Sequence, residues 1–96
     1  MDIYGRLAEK RGEIYALAGR YGIRSIRIFG SVARHEATEK SDVDFLVEFP
    51  PGTSLLDHAA FEDELAGLLG CPVDVASVNG IKDRIRNTIL QEAVPL

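Results

Sequence analysis

Apolar residues near the start of the chain fall at Ile3, Leu7, Ile14, Leu17, Ala18 and Tyr21. Steps of mostly three and four match a helix buried along one side. The spacing predicts a helix over 2–21, weakened by Gly12 and Gly19 and stopped at Gly22. The period then changes. Arg24-Ser25-Ile26-Arg27-Ile28-Phe29 alternates as a half-buried strand does. Gly30-Ser31 breaks the alternation, with Ser31 placed to cap a short helix over 32–36. A polar loop over 38–41 leads to residues 43–49, rich in branched and aromatic side chains and read as a second strand ended by Pro50-Pro51-Gly52. Residues 55–69 form an amphipathic helix, with Thr53 or Ser54 as its cap and Gly70 as its stop. A short third strand covers 72–76. After Asn79 comes a final helix whose Ile81, Ile85, Ile89 and Leu90 are expected to pack on the sheet, as far as Pro95. The order helix-strand-helix-strand-helix-strand-helix is an α/β fold: a small three-stranded sheet with about four helices, one domain over 1–96.

Composition narrows what such a domain does. Of 96 residues, 46% are hydrophobic and 27% charged, in the range of ordinary folded chains. No apolar run approaches the roughly 20 residues of a membrane-spanning helix, and the charged N-terminus shows no secretory signal. One cysteine, Cys71, cannot form an internal disulfide, which fits a cytoplasmic setting. A net charge of -4 argues against direct nucleic-acid binding, which needs a basic face. The run Lys82, Arg84, Arg86 reads as a solvated helix face, His35 and His58 as solvated side chains, and Tyr4, Tyr15 and Tyr21 as helix packing.

Three aspartates stand where strands should be apolar. Asp42 and Asp44 open the second strand and, being two apart, project to one face. Asp74 sits between Val73 and Val75 in the third. Carboxylates in apolar strands are expensive, and like charges side by side more so, unless a cation neutralises them. Paired carboxylates completed by phosphate oxygens are how magnesium is commonly held. The Gly30-Ser31 turn lies just upstream, where glycine lets backbone approach a ligand and N–H groups attract anions. A Walker-type Gly-Lys-Ser/Thr loop is absent from the sequence. Arg34 is open between a phosphate ligand and an ion-pair partner of Glu36 or Asp42.

Gly30-Ser31, ten residues, then Asp42-Val43-Asp44 resembles the signature of minimal nucleotidyltransferases of the DNA polymerase β superfamily. The flanking Phe29-Gly30-Ser31-Val32-Ala33-Arg34, Ser41-Asp42-Val43-Asp44-Phe45-Leu46-Val47 and Val73-Asp74-Val75 extend the likeness over nearly the whole chain. Two departures stand out: His35 follows Arg34 where many relatives carry Gly, and the 38–41 loop lacks a common Pro. The resemblance implies the nucleotidyltransferase fold and transfer of a nucleotide from ATP with two Mg2+ ions. In that reading Asp42 and Asp44 hold both metals, Asp74 the one nearest the acceptor hydroxyl, and Gly30, Ser31 and Arg34 the phosphates. A stand-alone chain of this size looks like the antitoxin of HEPN–MNT modules. The implied reaction moves AMP onto a tyrosine of a HEPN ribonuclease toxin. A small-molecule nucleotidyltransferase completed by a second chain, and an antitoxin that only masks its partner, remain the alternatives.

Overall fold

The computed structural model describes residues 2–38, 41–81 and 83–96. The leading helix, α1 (Ile3–Arg20), starts where Asp2 accepts a 2.8 Å hydrogen bond from the Gly5 N–H. Past its end, Gly22 takes a positive φ, and β1 (Ile26–Phe29) follows. Then come α2 (Gly30–Ala33), β2 (Val43–Val47), α3 (Leu55–Leu69) and β3 (Val73–Ser77). A 3-10 turn (Val78–Gly80), α4 (Asp83–Glu92) and β4 (Val94–Pro95) complete the order. Helix α3 has the ends its sequence predicts: the Ser54 hydroxyl accepts from the Asp57 N–H at 3.0 Å, and Gly70 closes it in the left-handed region.

The sheet runs β3-β2-β1-β4. Strands β1 and β2 are antiparallel, β2 and β3 parallel with α3 as the crossover, and β4 pairs antiparallel with β1. The sequence predicts three strands; the fourth is a correction. Two residues ending in Pro95 carry no alternation, and only the open edge of β1 at Arg27 and Ile28 makes Val94–Pro95 a strand.

Alternation along β2 divides the faces. Val43, Phe45 and Val47 point to one side and are fully buried with Ile26, Ile28, Val73 and Val75 under α1 and α3. Leu7, Ile14, Leu17 and Ala18 supply α1's part of this core, and Phe61, Leu65 and Leu69 supply α3's. Asp44 and Leu46 point to the other side. The last helix departs from expectation. No residue of α4 is buried among those described, Ile85 is 44% exposed, and the helix packs on α2 instead of being covered by the sheet. Its isoleucines are few among charged neighbours, so burying that face would desolvate Arg84 and Arg86 for little apolar gain.

Other side chains take roles that local pattern did not show. His58 is no solvated residue: its Nε2 lies 2.8 Å from the Val75 carbonyl, while Glu62 accepts from the Val75 N–H at 3.0 Å. Together they cover the outer edge of β3, which would otherwise invite pairing with another strand. Tyr15 is exposed beneath the Arg11 guanidinium and adds little to packing. Tyr21 donates to Glu64 across α1 and α3, which pushes its hydroxyl pKa upward because the carboxylate favours the neutral phenol. Cys71 packs against the core as a small hydrophobe. Of the basic run, Lys82 lies outside the described residues.

Candidate active site

The pairing pattern gathers the candidate residues. Antiparallel β1–β2 pairs Phe29 with Asp44, and parallel β2–β3 pairs Asp44 with Asp74. The end of β1 and the starts of β2 and β3 therefore meet at one end of the sheet. Asp44 and Asp74 extend side by side from adjacent strands. Asp42 stands one residue before β2, exposed, two positions from Asp44 and on its face.

Gly30 closes on this group. Its φ is +71°, and a Cβ added there would overlap Asp44 Oδ2 and stand 3.1 Å from Asp44 Cγ. The glycine is needed twice, for its left-handed backbone and for the absence of a side chain against the carboxylate. The sequence marks Gly30 as a turn where a ligand can approach; in the fold its nearest neighbour is Asp44 itself.

Ser31 departs from expectation. It lies inside α2 instead of capping it: Phe29 occupies the cap position, with no side-chain cap bond. Helix α2 covers Gly30–Ala33 and not 32–36. The Ser31 hydroxyl makes no hydrogen bond among the described residues, and its carbonyl accepts from the Glu36 N–H at 2.9 Å. His35, at the position where the resemblance expects Gly, adopts φ 59° and stacks on Tyr4 with ring centroids 5.3 Å apart. The left-handed turn is thus kept without a glycine. In the 38–41 loop, the Thr38 N–H donates to Ser41 Oγ at 2.9 Å; Glu39 and Lys40 lie outside the described residues.

Charge explains the local electrostatics. Asp44 has its carboxyl pKa raised, first by burial, then by the negative charges of Asp74 and Asp42, while Arg34 pulls it down. Asp44 therefore stands in the field of both other aspartates and of Arg34. The Arg34 guanidinium is engaged elsewhere, however. Its Nε donates to Glu36 at 3.1 Å and its Nη1 to Glu92 at 3.1 and 3.3 Å. Glu36 was one of two partners anticipated. Glu92, 58 residues away in α4, had no sequence signal.

The donor set suits a hard divalent cation: carboxylate oxygens, with no thiolate or imidazole among them. Among the described residues no group of three His, Cys, Asp or Glu side chains forms a metal cage by itself. The register nonetheless sets Asp44 against Asp74, and magnesium is commonly held by one or two carboxylates plus substrate phosphates. Asp44 and Asp74 are the pair the register places to contribute to such a site, with Asp42 two residues before Asp44, and the cleared space at Gly30 lets Asp44 approach the turn.

Comparison with known proteins places the chain in a family. A model of the nucleotidyltransferase domain matches residues 12–96. The protein adenylyltransferase MntA of Thermococcus cleftensis is 45% identical over 78 residues, 81% of this chain and 79% of that protein. A Methanocaldococcus jannaschii protein carrying a protein-adenylyltransferase name is 43% identical over 86 residues, 90% of this chain and 92% of its own. A solved minimal-nucleotidyltransferase structure superposes with a TM-score of 0.88 at 47% identity, covering 100% of this chain and 97% of the other. A toxin–antitoxin structure with AMP-PNP shares the fold, at TM-score 0.77 and 17% identity, over 88% of this chain and 69% of the other.

Proposed function

Because this chain belongs to the nucleotidyltransferase domain family, in its minimal form, we propose that it is an antitoxin-type protein adenylyltransferase. It moves AMP from ATP to a tyrosine hydroxyl of a HEPN-type ribonuclease toxin and silences it. The observation that carries the reading is the in-register Asp44–Asp74 pair with Gly30 held open against Asp44. A protein that only masks its partner has no use for adjacent like charges on paired strands, which cost stability.

In this reading Asp42 and Asp44 would hold Mg2+, with Asp74 contributing on the side of the acceptor hydroxyl. The metal would supply charge neutralisation at the transferring phosphate. Gly30 and Ser31 bind the β and γ phosphates through backbone N–H groups and the Ser31 hydroxyl. Arg34 reaches a phosphate by exchanging one of its carboxylate partners. Asp74 takes the tyrosine proton, the phenolic oxygen attacks the α-phosphorus, and the bond to the bridging oxygen breaks to release pyrophosphate. The carboxylates stand at the sheet end, Asp42 and Asp74 exposed, so a side chain of another protein can be presented to them.

The similarity to an MntA protein adenylyltransferase and the shared fold of a toxin–antitoxin structure with AMP-PNP support the adenylyl donor and the toxin partner, and no helix among the described residues is long and apolar enough to cross a membrane. The test is to co-express the chain with its HEPN-type partner and weigh the partner intact by mass spectrometry. Added AMP with the wild type, absent with Asp44→Asn, is the expected result. A partner left unmodified yet neutralised equally by both would favour masking. Turnover with a free hydroxylated metabolite would favour the small-molecule enzyme.

A further inference from the structure

Helix α3 has a second apolar face. Phe61, Leu65 and Leu69 fill the core, but Leu55 and Leu56 at its start are 88% and 82% exposed. Helical spacing continues them into the exposed Ala59 and Ala60, one turn on. Adjacent large apolar residues left this open on a small domain mark an interaction surface more often than chance exposure. Beside Leu55 the surface falls into a cleft of about 560 Å³ lined in part by Phe49, Pro51 and Ile81, which extends the apolar area.

The unpaired charges of the described residues on α3 have one sign, and Arg20, which shares a groove with Asp57, is paired with Glu64 at 3.3 Å. Asp57 and Asp63 flank it, both exposed, and neither forms an ion pair among the described residues. Helix α3 contains no Lys or Arg. Its other carboxylates are engaged, Glu62 by the Val75 N–H and Glu64 by Arg20 and Tyr21. A second copy of this chain would bring Asp57 and Asp63 against their own kind, with the neighbouring Arg20 already engaged by Glu64. A segment with apolar residues bordered by Lys or Arg would satisfy both features at once. Location adds a reason. The patch lies at the end of the sheet where β2 and β3 finish, whereas Asp42, Asp44 and Asp74 stand where those strands begin. A five-residue strand, roughly 15 Å, separates the two. A protein gripped at one end leaves the carboxylates open.

We propose that the outer face of α3 around Leu55 and Leu56 is a docking surface, separate from the catalytic end, for a basic-flanked apolar segment of the partner protein. The inference rests on the reading that the substrate is a protein. It is tested by titrating the HEPN-type partner into the full chain, wild type and the double variant Leu55→Asp/Leu56→Asp, by calorimetry, with Mg-ATP titrated separately. Both leucines are solvent-exposed, so the variant should keep the fold; circular dichroism checks this, and Leu55→Ser/Leu56→Ser serves as a milder second variant. Partner affinity should fall tenfold or more in the double variant, and severalfold in Asp57→Lys/Asp63→Lys, with Mg-ATP affinity unchanged. Partner affinity equal to wild type in the leucine variants would overturn the proposal. So would a wild-type dimer in sedimentation that those variants dissolve, since a second copy would then occupy the face. A wild type that binds the partner through these leucines but adds no AMP would sink the enzymatic reading and leave the docking surface standing.

Discussion

Replacing Gly30 by Ala separates two effects that coincide at one residue. A non-glycine residue held at φ +71° costs about 1–2 kcal/mol. For a domain of this size that lowers the melting temperature by roughly 5–15 °C. The new methyl also meets the Asp44 carboxylate, with its carbon 3.1 Å from Cγ where about 3.4 Å is ordinary contact. Since Asp44 is a short side chain that can rotate, the overlap is relieved cheaply in energy but at the expense of position. Displacing a catalytic group by an ångström can cost on the order of a hundredfold in rate. Gly70→Ala is the control: φ is +69° there, and nothing lies within 4 Å of the added carbon. Both variants should lose similar stability in thermal melts, and only Gly30→Ala should lose Mg-ATP affinity and transfer. If Gly30→Ala binds Mg-ATP as well as Gly70→Ala does, the contact with Asp44 is irrelevant to the site and the reasoning fails.

Further outcomes follow from the same geometry. Asp44→Asn should abolish transfer yet stabilise the metal-free protein at neutral pH by about 0.2–1 kcal/mol, the scale of a cross-strand pair. The sign follows from the raised carboxyl pKa: the folded chain holds the proton more tightly, so ionised Asp44 opposes folding above that raised pKa. The gain should shrink to nothing below the ordinary carboxylate range, which thermal melts across pH in chelator would show. Arg34→Ala should weaken ATP binding roughly tenfold, the size of a lost charge-assisted hydrogen bond, and calorimetry would detect it; unchanged affinity would leave Arg34 a tie between Glu36 and Glu92. Gly12→Ala, in an exposed helical site with nothing within 4 Å, should stabilise by about 0.5–1 kcal/mol in denaturant melts and leave function alone.

What could be read from the sequence divides along physical lines. Helix α1 is legible from its spacing, though Asp2 proves to be its cap and not its first residue, and α3 because Ser54 and Gly70 are local signals that sit where the backbone needs them. The central strands are legible because Val43, Phe45 and Val47 must be buried on one face. Strand β4 is not, since its partner is β1, far away in sequence, and two residues have no period. The exposure of α4 is likewise a tertiary outcome: Ile85 and Ile89 have helical spacing whether or not a surface receives them. At the site, the spacing from Gly30-Ser31 to Asp42 and Asp44 and the misplaced charge of Asp74 were visible in one dimension. The hold of Glu92 on Arg34 needed three. Ser31 was misread as a cap because cap preference is local, while the turn is set by Gly30.

The most direct test of the central claim, that Asp42, Asp44 and Asp74 with the Gly30-Ser31 turn form a metal-bridged triphosphate site, is calorimetry of ATP binding with Mg2+ and in excess chelator. Binding that is measurable with Mg2+, collapses in chelator, and is lost in Asp44→Asn even with Mg2+ is the predicted result. Equal ATP affinity with and without the metal, or an Asp44→Asn variant that binds Mg-ATP like the wild type, would contradict it.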